Sequence, residues 1–246
     1  MSTNSRRRKL VESGKAFHCL CQRCSKTADR TRGVPCPRCG GIIFLAGDTS
    51  QSMRCRTCDH RLTTLEHATF LNAETEVECL LNRTIDMNAD DVEQSALLGE
   101  LKAVIDSHLS AKTHWLAHVV HGQLKSYAAA IGDVRAVLNF LDLRADFVRH
   151  VFNVEHGNLA PCPTHAWELE EAALLYMRIH MPLKAFSRTR RRSVRVYTHV
   201  CKRLTESLAV LKPMFGLEHA DVQRIAALLA RVRNRLHRNL LVVNSR

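Results

Sequence analysis

Apolar positions change their spacing along the chain near residue 90. Before that point the clearest apolar run is 41–46, whose sequence GIIFLA is typical of a strand. Beyond it, apolar residues recur every three or four positions, which predicts a helix; they are Val92, Ala96, Leu97, Leu101, Val104, Ile105 and Leu109. The same reasoning predicts helices over 113–129, 132–153, 164–186, 190–212 and 219–240, with a short helical stretch near 7–14.

Helix breakers leave only short connections between these helices. The breakers are Gly157, Pro161, Pro163, Pro213 and Gly216. Short connections favour antiparallel packing of neighbouring helices. The predicted fold class is therefore mainly α, with a small Cys-rich module followed by an antiparallel helical bundle or a TPR-like helical array.

The composition is that of a folded globular chain. Of the 246 residues, 46% are apolar and 24% are charged, which argues against a disordered tail and against a coiled-coil rod. A membrane span needs about 18 consecutive apolar residues, and the chain has no such run. No apolar stretch follows the basic start, so a secretory signal is not expected either. We expect the protein in the cytoplasm, the nucleus or both.

Charge is distributed in segments. Residues 1–60 carry 12 basic and 4 acidic side chains, 61–183 carry 9 and 17, and 184–246 carry 15 and 3. Basic ends around an acidic middle fit either intramolecular attraction or two surfaces with different partners. Few aromatic residues accompany the basic ones, so stacking platforms for bases are not predicted and nucleic acid is an unexpected partner. A protein partner that binds the helical region is expected instead.

Cysteines cluster near the amino end. Seven of the ten lie between Cys19 and Cys58. Cys36 and Cys39 form one Cys-x-x-Cys pair, and Cys55 and Cys58 form a second pair after fifteen intervening residues. Two such pairs can supply the four thiolates of a tetrahedral Zn²⁺ site, and this spacing is that of a zinc ribbon. Redox chemistry by either pair would need a lone, exposed pair beside a βαβ pattern, which the sequence lacks.

A second group of cysteines precedes the ribbon. Cys19, Cys21 and Cys24 fall within six residues and leave a tetrahedral zinc site one ligand short. The fourth ligand could be an isolated cysteine, a residue of another polypeptide, or one of three histidines: His18, His60 and His67.

The segment RRKLVESGKAFHCLCQRC at 7–24 resembles the post-SET region of the SET and MYND domain (SMYD) lysine methyltransferases. Members of that family share an Arg-rich helix before Phe-x-Cys-x-Cys-x-Arg-Cys. Many of them follow it with Cys-Pro-x-Cys-Gly-Gly and a later Cys-x-x-Cys, as 36–58 do here. The helical remainder is also similar to the family's C-terminal domain, notably at 174–180 and 215–222.

This resemblance implies roles for individual residues. Cys19, Cys21 and Cys24 match the three post-SET zinc ligands, and Phe17 matches the aromatic residue that packs against the adenine of S-adenosylmethionine. The family's Gly-rich segment, its Asn-His-x-Cys segment and its MYND module are not found in these 246 residues. The chain is therefore expected to be the C-terminal half of such an enzyme, inactive alone. The alternatives are a SET-less protein-interaction scaffold and, more weakly, a zinc-ribbon nucleic-acid binder.

The resulting organisation has four parts. They are a basic segment at 1–16, a post-SET-like and zinc-ribbon-like module at 17–60, a linker at 61–89 and a helical domain at 90–246. Within the helical domain, the basic run at 188–195 is interpreted as a solvated helix face, with binding of an acidic partner or a nuclear localisation signal as the alternatives.

Several other residues that could suggest a site are expected to serve packing. Three histidines of one helix face are assigned packing or surface roles. Three isolated cysteines are expected to be small buried apolar groups, and an apolar stripe is expected to lie in the core. They are His114, His118 and His121; Cys79, Cys162 and Cys201; and Trp167, Leu174 and Leu175.

Overall fold

The computed structural model describes residues 28–46, 53–86, 91–152, 163–180 and 190–244. Within them lie two strands and seven helices, so the mainly α prediction is confirmed. The elements are β1 (Ala28–Pro35), β2 (Ile42–Ala46), α1 (Thr64–Asp86), α2 (Asp91–His108), α3 (Trp115–Ala130), α4 (Val134–Phe152), α5 (Pro163–His180), α6 (Arg190–Phe215) and α7 (Ala220–Asn244).

The chain forms two compact units that divide between Leu124 and Lys125, inside α3. The first unit contains the two strands with α1 and α2, and the second contains α4 to α7. This division differs from the predicted one, which separated a zinc module at 17–60 from a helical domain at 90–246. None of the described helices has the length and apolar character that a membrane crossing requires.

The two strands form an antiparallel hairpin. Val34 pairs with Ile43 and Gly33 with Phe44, and the register shifts between Ala28 and Gly33. Val34, Ile43 and Leu45 are buried. The strand predicted over 41–46 is confirmed, whereas β1 was not predicted because its sequence, ADRTRGVP, is largely polar.

Helix α1 begins with a capping box. The Thr63 hydroxyl accepts a hydrogen bond from the Glu66 backbone N–H, and the Glu66 carboxylate accepts one from the Thr63 N–H at 2.8 Å. Phe70, Ala73 and Val77 form the start of its buried face, and the helix packs against α2. Residues 61–89, interpreted from the sequence as a linker, therefore contain a helix of 23 residues.

A loop at 109–114 holds β1 against the helices of the first unit. The Gly33 N–H donates to the Thr113 carbonyl at 3.2 Å, and the Ser110 N–H donates to the Gly33 carbonyl at 3.2 Å. A Cβ at Gly33 would lie 2.0 Å from Thr113 Oγ1 and 2.6 Å from Thr113 Cβ. Glycine is required here because the two backbones approach so closely.

Gly33→Ala is expected to lower the free energy of unfolding by about 1–3 kcal/mol, because Thr113 must move to admit the methyl group. Gly99→Ala is the matched control. Gly99 lies inside α2, where an added Cβ meets no atom within 4 Å. Alanine should therefore stabilise this helix by about 0.5–1 kcal/mol. Urea unfolding of both variants measures the two changes in the free energy of unfolding. Equal changes would contradict the close approach of the backbones at Gly33.

The second unit is built around α6. Ser207 Oγ donates to the Ala166 carbonyl at 2.8 Å, and Tyr176 contacts His199 at 4.4 Å between ring centroids, so α5 and α6 run antiparallel. Helices α6 and α7 also pack together. The core of the unit consists of Ala166, Ala173, Val196, Tyr197, Val200, Leu204, Val210, Leu211, Val222, Ile225, Leu229 and Val232. Antiparallel helical packing in this unit agrees with the prediction.

Turn residues set the helix ends of this unit. Gly132 has φ 76°, and the Asp133 carboxylate accepts hydrogen bonds from the N–H groups of Arg135 and Ala136 at the start of α4. Gly216 has φ 79° after α6. That helix was predicted to stop at residue 212, but it continues through Pro213 to Phe215. A proline this near the helix end removes only one hydrogen bond of the helix.

Two packing assignments need correction. Trp167 is 40% exposed and Leu174 is 43% exposed, so neither belongs to the core that the sequence predicts for them. Trp167 instead stacks on Phe215 at 6.4 Å, and Phe215 stacks on His219 at 4.7 Å. Leu175 is half-buried.

The two tryptophans of the sequence differ in exposure. In contrast to Trp167, Trp115 at the start of α3 is buried. Of the isolated cysteines, Cys79 is exposed and Cys201 half-buried, while Cys162 lies outside the described residues. Their predicted burial is therefore wrong for Cys79, which lies on the solvent side of α1.

Candidate metal centre

Two short turns present the four ribbon cysteines. After the first pair, Gly40 adopts φ 70°, and its N–H donates to the Cys36 carbonyl at 2.9 Å. After the second pair, Asp59 adopts φ 55°, and its N–H donates to the Cys55 carbonyl at 2.9 Å. The left-handed residue reverses the chain directly after each pair, so both sulfurs of a pair point to the same side.

The two turns repeat each other's backbone pattern. The Cys36 N–H donates to the Gly41 carbonyl at 2.6 Å, and the Cys55 N–H donates to the His60 carbonyl at 2.8 Å. Outside the turns, the Leu62 N–H donates to the Met53 carbonyl at 3.1 Å. The ribbon thus consists of two similar knuckles, one after β1 and one before α1.

The sulfur positions fit a tetrahedral zinc ion. The four Sγ atoms lie within 4.8 Å of one another. Cys36 and Cys58 are 3.7 Å apart, and Cys39 and Cys55 are 3.5 Å apart. Zn–S bonds of about 2.3 Å in a tetrahedron place sulfurs about 3.8 Å apart, whereas a disulfide requires about 2.05 Å. The four thiols can therefore hold one zinc ion, and none of them is in a disulfide.

Ionisation of the thiols differs across the cluster. Burial opposes ionisation of Cys55, but the N–H groups of Cys58 and Thr57 and the neighbouring thiols lower the pKa of its thiol to about 6. The Gly41 N–H favours a thiolate at Cys39, yet hydrogen bonds with the other thiols raise the pKa of Cys39 to about 12. One thiolate suppresses the ionisation of its neighbours when no cation is bound. A divalent cation removes this repulsion and allows all four to ionise.

Backbone N–H groups also orient the sulfurs. The Gly41 N–H donates to Cys39 Sγ at 3.4 Å, and the Thr57 N–H donates to Cys55 Sγ at 3.4 Å. A Cβ at Gly41 would lie 2.6 Å from Thr57 Oγ1 and 3.0 Å from Cys55 Sγ. Glycine at 41 therefore leaves the space in which the two knuckles meet.

The predicted site residues divide into two sets. The structure brings Cys36, Cys39, Cys55 and Cys58 together. The remaining predicted residues, which are Phe17, Cys19, Cys21 and Cys24, lie outside the described residues. Their assignments as cofactor contact and zinc ligands remain predictions.

Two of the histidines proposed as a fourth ligand lie near the ribbon in sequence. His60 Nε2 is 3.2 Å from the Glu66 carboxylate, which ties the second knuckle to the start of α1. His67 Nε2 is buried and has no hydrogen-bond partner among the described residues. His18 lies outside the described residues.

A largely buried polar network next to the ribbon was not predicted from the sequence. Arg32 Nε on β1 donates to the Glu74 carboxylate of α1 at 2.8 Å, and His114 Nε2 is 2.9 Å from the same carboxylate. The Leu116 N–H donates to His114 Nδ1 at 3.2 Å. Nδ1 is therefore the unprotonated nitrogen and Nε2 carries the proton. The network fixes β1, and with it the first knuckle, against the helices of the first unit.

The electrostatics of this network favour a neutral histidine. Burial is the largest influence on His114 and lowers its pKa, against the opposing effect of Glu74. Burial also opposes ionisation of Glu74, but the hydrogen bonds from His114 and Arg32 outweigh it and lower the pKa of this carboxyl to about 2. The charged partners at neutral pH are thus Arg32 and Glu74, while His114 donates one neutral hydrogen bond.

The other histidines of the same helix face also serve packing. His114, His118 and His121 are all buried. Their ring nitrogens do not converge with other ligands: across the described parts of the chain, Cys36, Cys39, Cys55 and Cys58 form the group that could hold a metal ion. Their burial agrees with the packing alternative of the predicted packing or surface roles, and His114 in addition hydrogen-bonds Glu74.

Comparison with known proteins yields neither a matching family model nor a matching curated protein.

Metal analysis of the purified chain is expected to show one firmly held zinc ion per polypeptide, bound by the four ribbon cysteines. A second, weakly held zinc is expected at Cys19, Cys21 and Cys24, because three thiolates leave one position open. Elemental analysis before and after dialysis against a mild chelator measures both. Two zinc ions that resist the chelator would show that this chain supplies a fourth ligand, and His67→Ala would then test the buried histidine for that role.

Proposed function

We propose that the chain is the zinc-binding C-terminal part of a SMYD-type protein-lysine methyltransferase and is inactive without a SET domain. The observation that carries this proposal is the four-cysteine cluster, in which two knuckles with zinc-ribbon spacing directly precede helical segments. This is the order of modules that the resemblance at 7–58 implies.

Each zinc group would have its own role in the complete enzyme. The three thiolates of Cys19, Cys21 and Cys24 would take their fourth ligand from the SET domain, so that zinc binding joins the two parts. Phe17, two residues before the first of these ligands, would pack against the adenine of the cofactor. S-adenosylmethionine, when bound, supplies the methyl group. Methyl transfer also requires a site closed to water, and this chain would contribute one wall of that site.

The ribbon would serve as a rigid base for this assembly. Its hairpin is fixed by the half-buried Arg32–Glu74 pair and by two backbone hydrogen bonds between Gly33 and the 109–114 loop. A metal-organised hairpin anchored in this way would hold the segment that precedes it close to the helices. This positioning role requires no chemistry from the ribbon itself, and a zinc site with four cysteine ligands is typical of structural rather than catalytic zinc.

The test uses the gene product purified from the cells that make it, incubated with tritium-labelled S-adenosylmethionine and total cell protein. We expect methyl transfer by the gene product and none by the recombinant 246-residue chain. Cys55→Ser in the gene product should abolish transfer, and the control Cys79→Ser, which changes an exposed cysteine outside the cluster, should not. Transfer by the 246-residue chain alone would contradict the proposed incompleteness.

A second candidate is a SET-less scaffold that binds proteins. The ring stack of Trp167, Phe215 and His219 favours it, because Trp167 and Phe215 are exposed. Exposed aromatic side chains that cluster are typical of protein-binding surfaces. A transcript without an in-frame Asn-His-x-Cys segment, together with a gene product that transfers no methyl group, would select this candidate over the methyltransferase.

A further inference from the structure

Helix α7 carries a row of exposed arginines. Its residues from Val222 to Asn244 include five arginines and no Asp or Glu. The side chains of Arg224, Arg231, Arg235 and Arg238 are exposed. At 100° per residue these four fall within about 60° of one another around the helix, so they form one stripe. We call this set the α7 arginine stripe.

Most of the stripe lacks a neutralising partner. Arg224 is paired with Glu170 and Asp221. For the other three arginines of the stripe, no ion pair is found within the described part of the chain. Neighbouring arginines at spacings of three and four residues repel each other, so the arrangement disfavours the isolated helix. An anionic partner would relieve that repulsion.

The charge extends to the neighbouring helix. Residues 190–244 contain 12 Lys and Arg against 3 Asp and Glu, a net charge of +9. Arg233 on α7 donates to Thr205 Oγ1 of α6 at 3.3 Å, and the exposed Arg195 and Lys202 belong to α6 as well. The antiparallel pair α6–α7 is therefore strongly basic, and within it the α7 arginine stripe places positive charges at regular intervals along one side of a helix.

We propose that the α7 arginine stripe binds the phosphate backbone of double-stranded nucleic acid without sequence preference. Three features favour this partner. Arg231, Arg235 and Arg238 extend over about 10 Å along a straight helix, which suits a regularly spaced polyanion. The guanidinium group forms paired hydrogen bonds with phosphate oxygens. On the side of the stripe, the exposed positions between the arginines are small or neutral, namely Ala227 and Asn234, so a large surface can approach.

The same surface disfavours other anionic partners. Between Arg224 and Arg238, no exposed large apolar side chain lies on the arginine side of α7, whereas insertion into a membrane surface would require such side chains. No exposed aromatic residue accompanies them either, so single-stranded bases find no stacking platform. The sequence argument against nucleic acid depended on that missing stacking. It does not apply to a duplex, whose bases are already stacked.

The test measures fluorescence anisotropy of a labelled 20-base-pair DNA of random sequence with the full zinc-loaded chain. We expect binding whose affinity falls steeply between 50 and 200 mM salt, as with about three phosphate contacts. The triple variant Arg231→Gln, Arg235→Gln, Arg238→Gln should bind at least about tenfold more weakly, with a salt slope shallower by about 2 to 3. Circular dichroism melting should show the variant folded like the parent chain, since the three side chains are exposed.

The matched control removes the same charge elsewhere. Arg38, Arg56 and Arg61 are exposed arginines on or beside the two zinc knuckles, and their replacement by glutamine should change DNA affinity less than about twofold. Equal weakening by both triple variants would overturn the proposal, because net charge alone would then explain binding. Absence of binding at 50 mM salt would also overturn it. Tighter binding of single strands, or full competition by polyglutamate, would assign the stripe to a different partner and so reject the duplex.

Discussion

Replacing Cys55 by serine is expected to eliminate firm zinc binding and to unfold the ribbon. Cys55 is 2% exposed, and its sulfur lies 3.5 Å from that of Cys39. A hydroxyl is a poor substitute for a thiolate at zinc, so one ligand of the tetrahedron is lost. Structural zinc sites contribute about 10–16 kcal/mol of apparent binding free energy, and most of it stabilises the folded ribbon. Elemental analysis after dialysis against a mild chelator should show firmly held zinc falling from one ion per chain to nearly none.

The consequence for the fold should be local. Amide resonances of the two strands and both knuckles should collapse toward unfolded positions, whereas the second unit should retain its helical signals because it has its own core. Cys79→Ser is the control, since Cys79 is an exposed thiol of α1 outside the cluster. Retention of one tightly held zinc by Cys55→Ser would contradict the four-cysteine site.

Replacing Glu74 by alanine is expected to lower the free energy of unfolding by about 3–5 kcal/mol. The Arg32 and Glu74 side chains are each 13% exposed, and removal of the carboxylate leaves the Arg32 charge buried without its partner. His114 loses its acceptor as well. Chemical denaturation of the zinc-loaded protein measures the loss. Asp106→Ala is the control, because Asp106 pairs with Lys102 at the surface and its removal should change stability little.

The same network makes the first unit sensitive to acid. The pKa of Glu74 is lowered to about 2, so its contribution to stability is complete above its ordinary value of about 4.5 and is lost as pH falls toward 2. The pKa of His114 is also lowered, because burial disfavours its charged form. The unfolded chain therefore binds a proton below about pH 6.5 that the folded chain does not, which lowers stability further.

Unfolding curves recorded from pH 7 to pH 3 should show the free energy of unfolding falling in two stages, the first due to His114 below about pH 6.5 and the second due to Glu74 below about pH 4.5. A smaller acid dependence is expected in Glu74→Gln, since the substitution removes one of the two titrating groups. If the free energy of unfolding of that variant fell with pH as steeply as that of the parent chain, the groups that titrate would lie elsewhere in the chain.

The zinc ribbon was predictable because its information is local. The spacing of Cys36, Cys39, Cys55 and Cys58 fixes which atoms can meet around one ion, whatever the rest of the fold. Gly40 after the first pair matches the left-handed turn, but Asp59 after the second pair adopts the same conformation without a glycine to signal it. Sequence reasoning therefore located the site and did not anticipate the second turn.

Helices were predictable where an apolar stripe faces the core. The helices predicted over 113–129 and 132–153 are found over Trp115–Ala130 and Val134–Phe152, which is within two residues at each end. Helix α1 was missed although Phe70, Ala73 and Val77 have helical spacing, because polar residues surround them. Its capping box at 63–66 was the available signal.

The buried network and β1 could not be inferred from local pattern. Arg32 and Glu74 are 42 residues apart, and His114 is 40 residues beyond Glu74, so only the tertiary fold brings them together. Strand β1 is stabilised in the same way. Asp29 and Thr31 are buried and bonded to each other, with Thr31 Oγ1 donating to the Asp29 carboxylate at 2.7 Å. A polar sequence of this kind forms a strand because neighbouring residues in the fold supply hydrogen-bond partners for its buried polar groups.

The chain's two tryptophans give each compact unit a built-in optical reporter. Trp115 is shielded in the first unit and Trp167 is 40% open to water in the second. Emission from Trp115 should be blue-shifted and resistant to acrylamide, and emission from Trp167 should be red-shifted and readily quenched. When one tryptophan is changed to phenylalanine, only the unit that retains its tryptophan gives tryptophan fluorescence, so the unfolding of that unit can be followed separately.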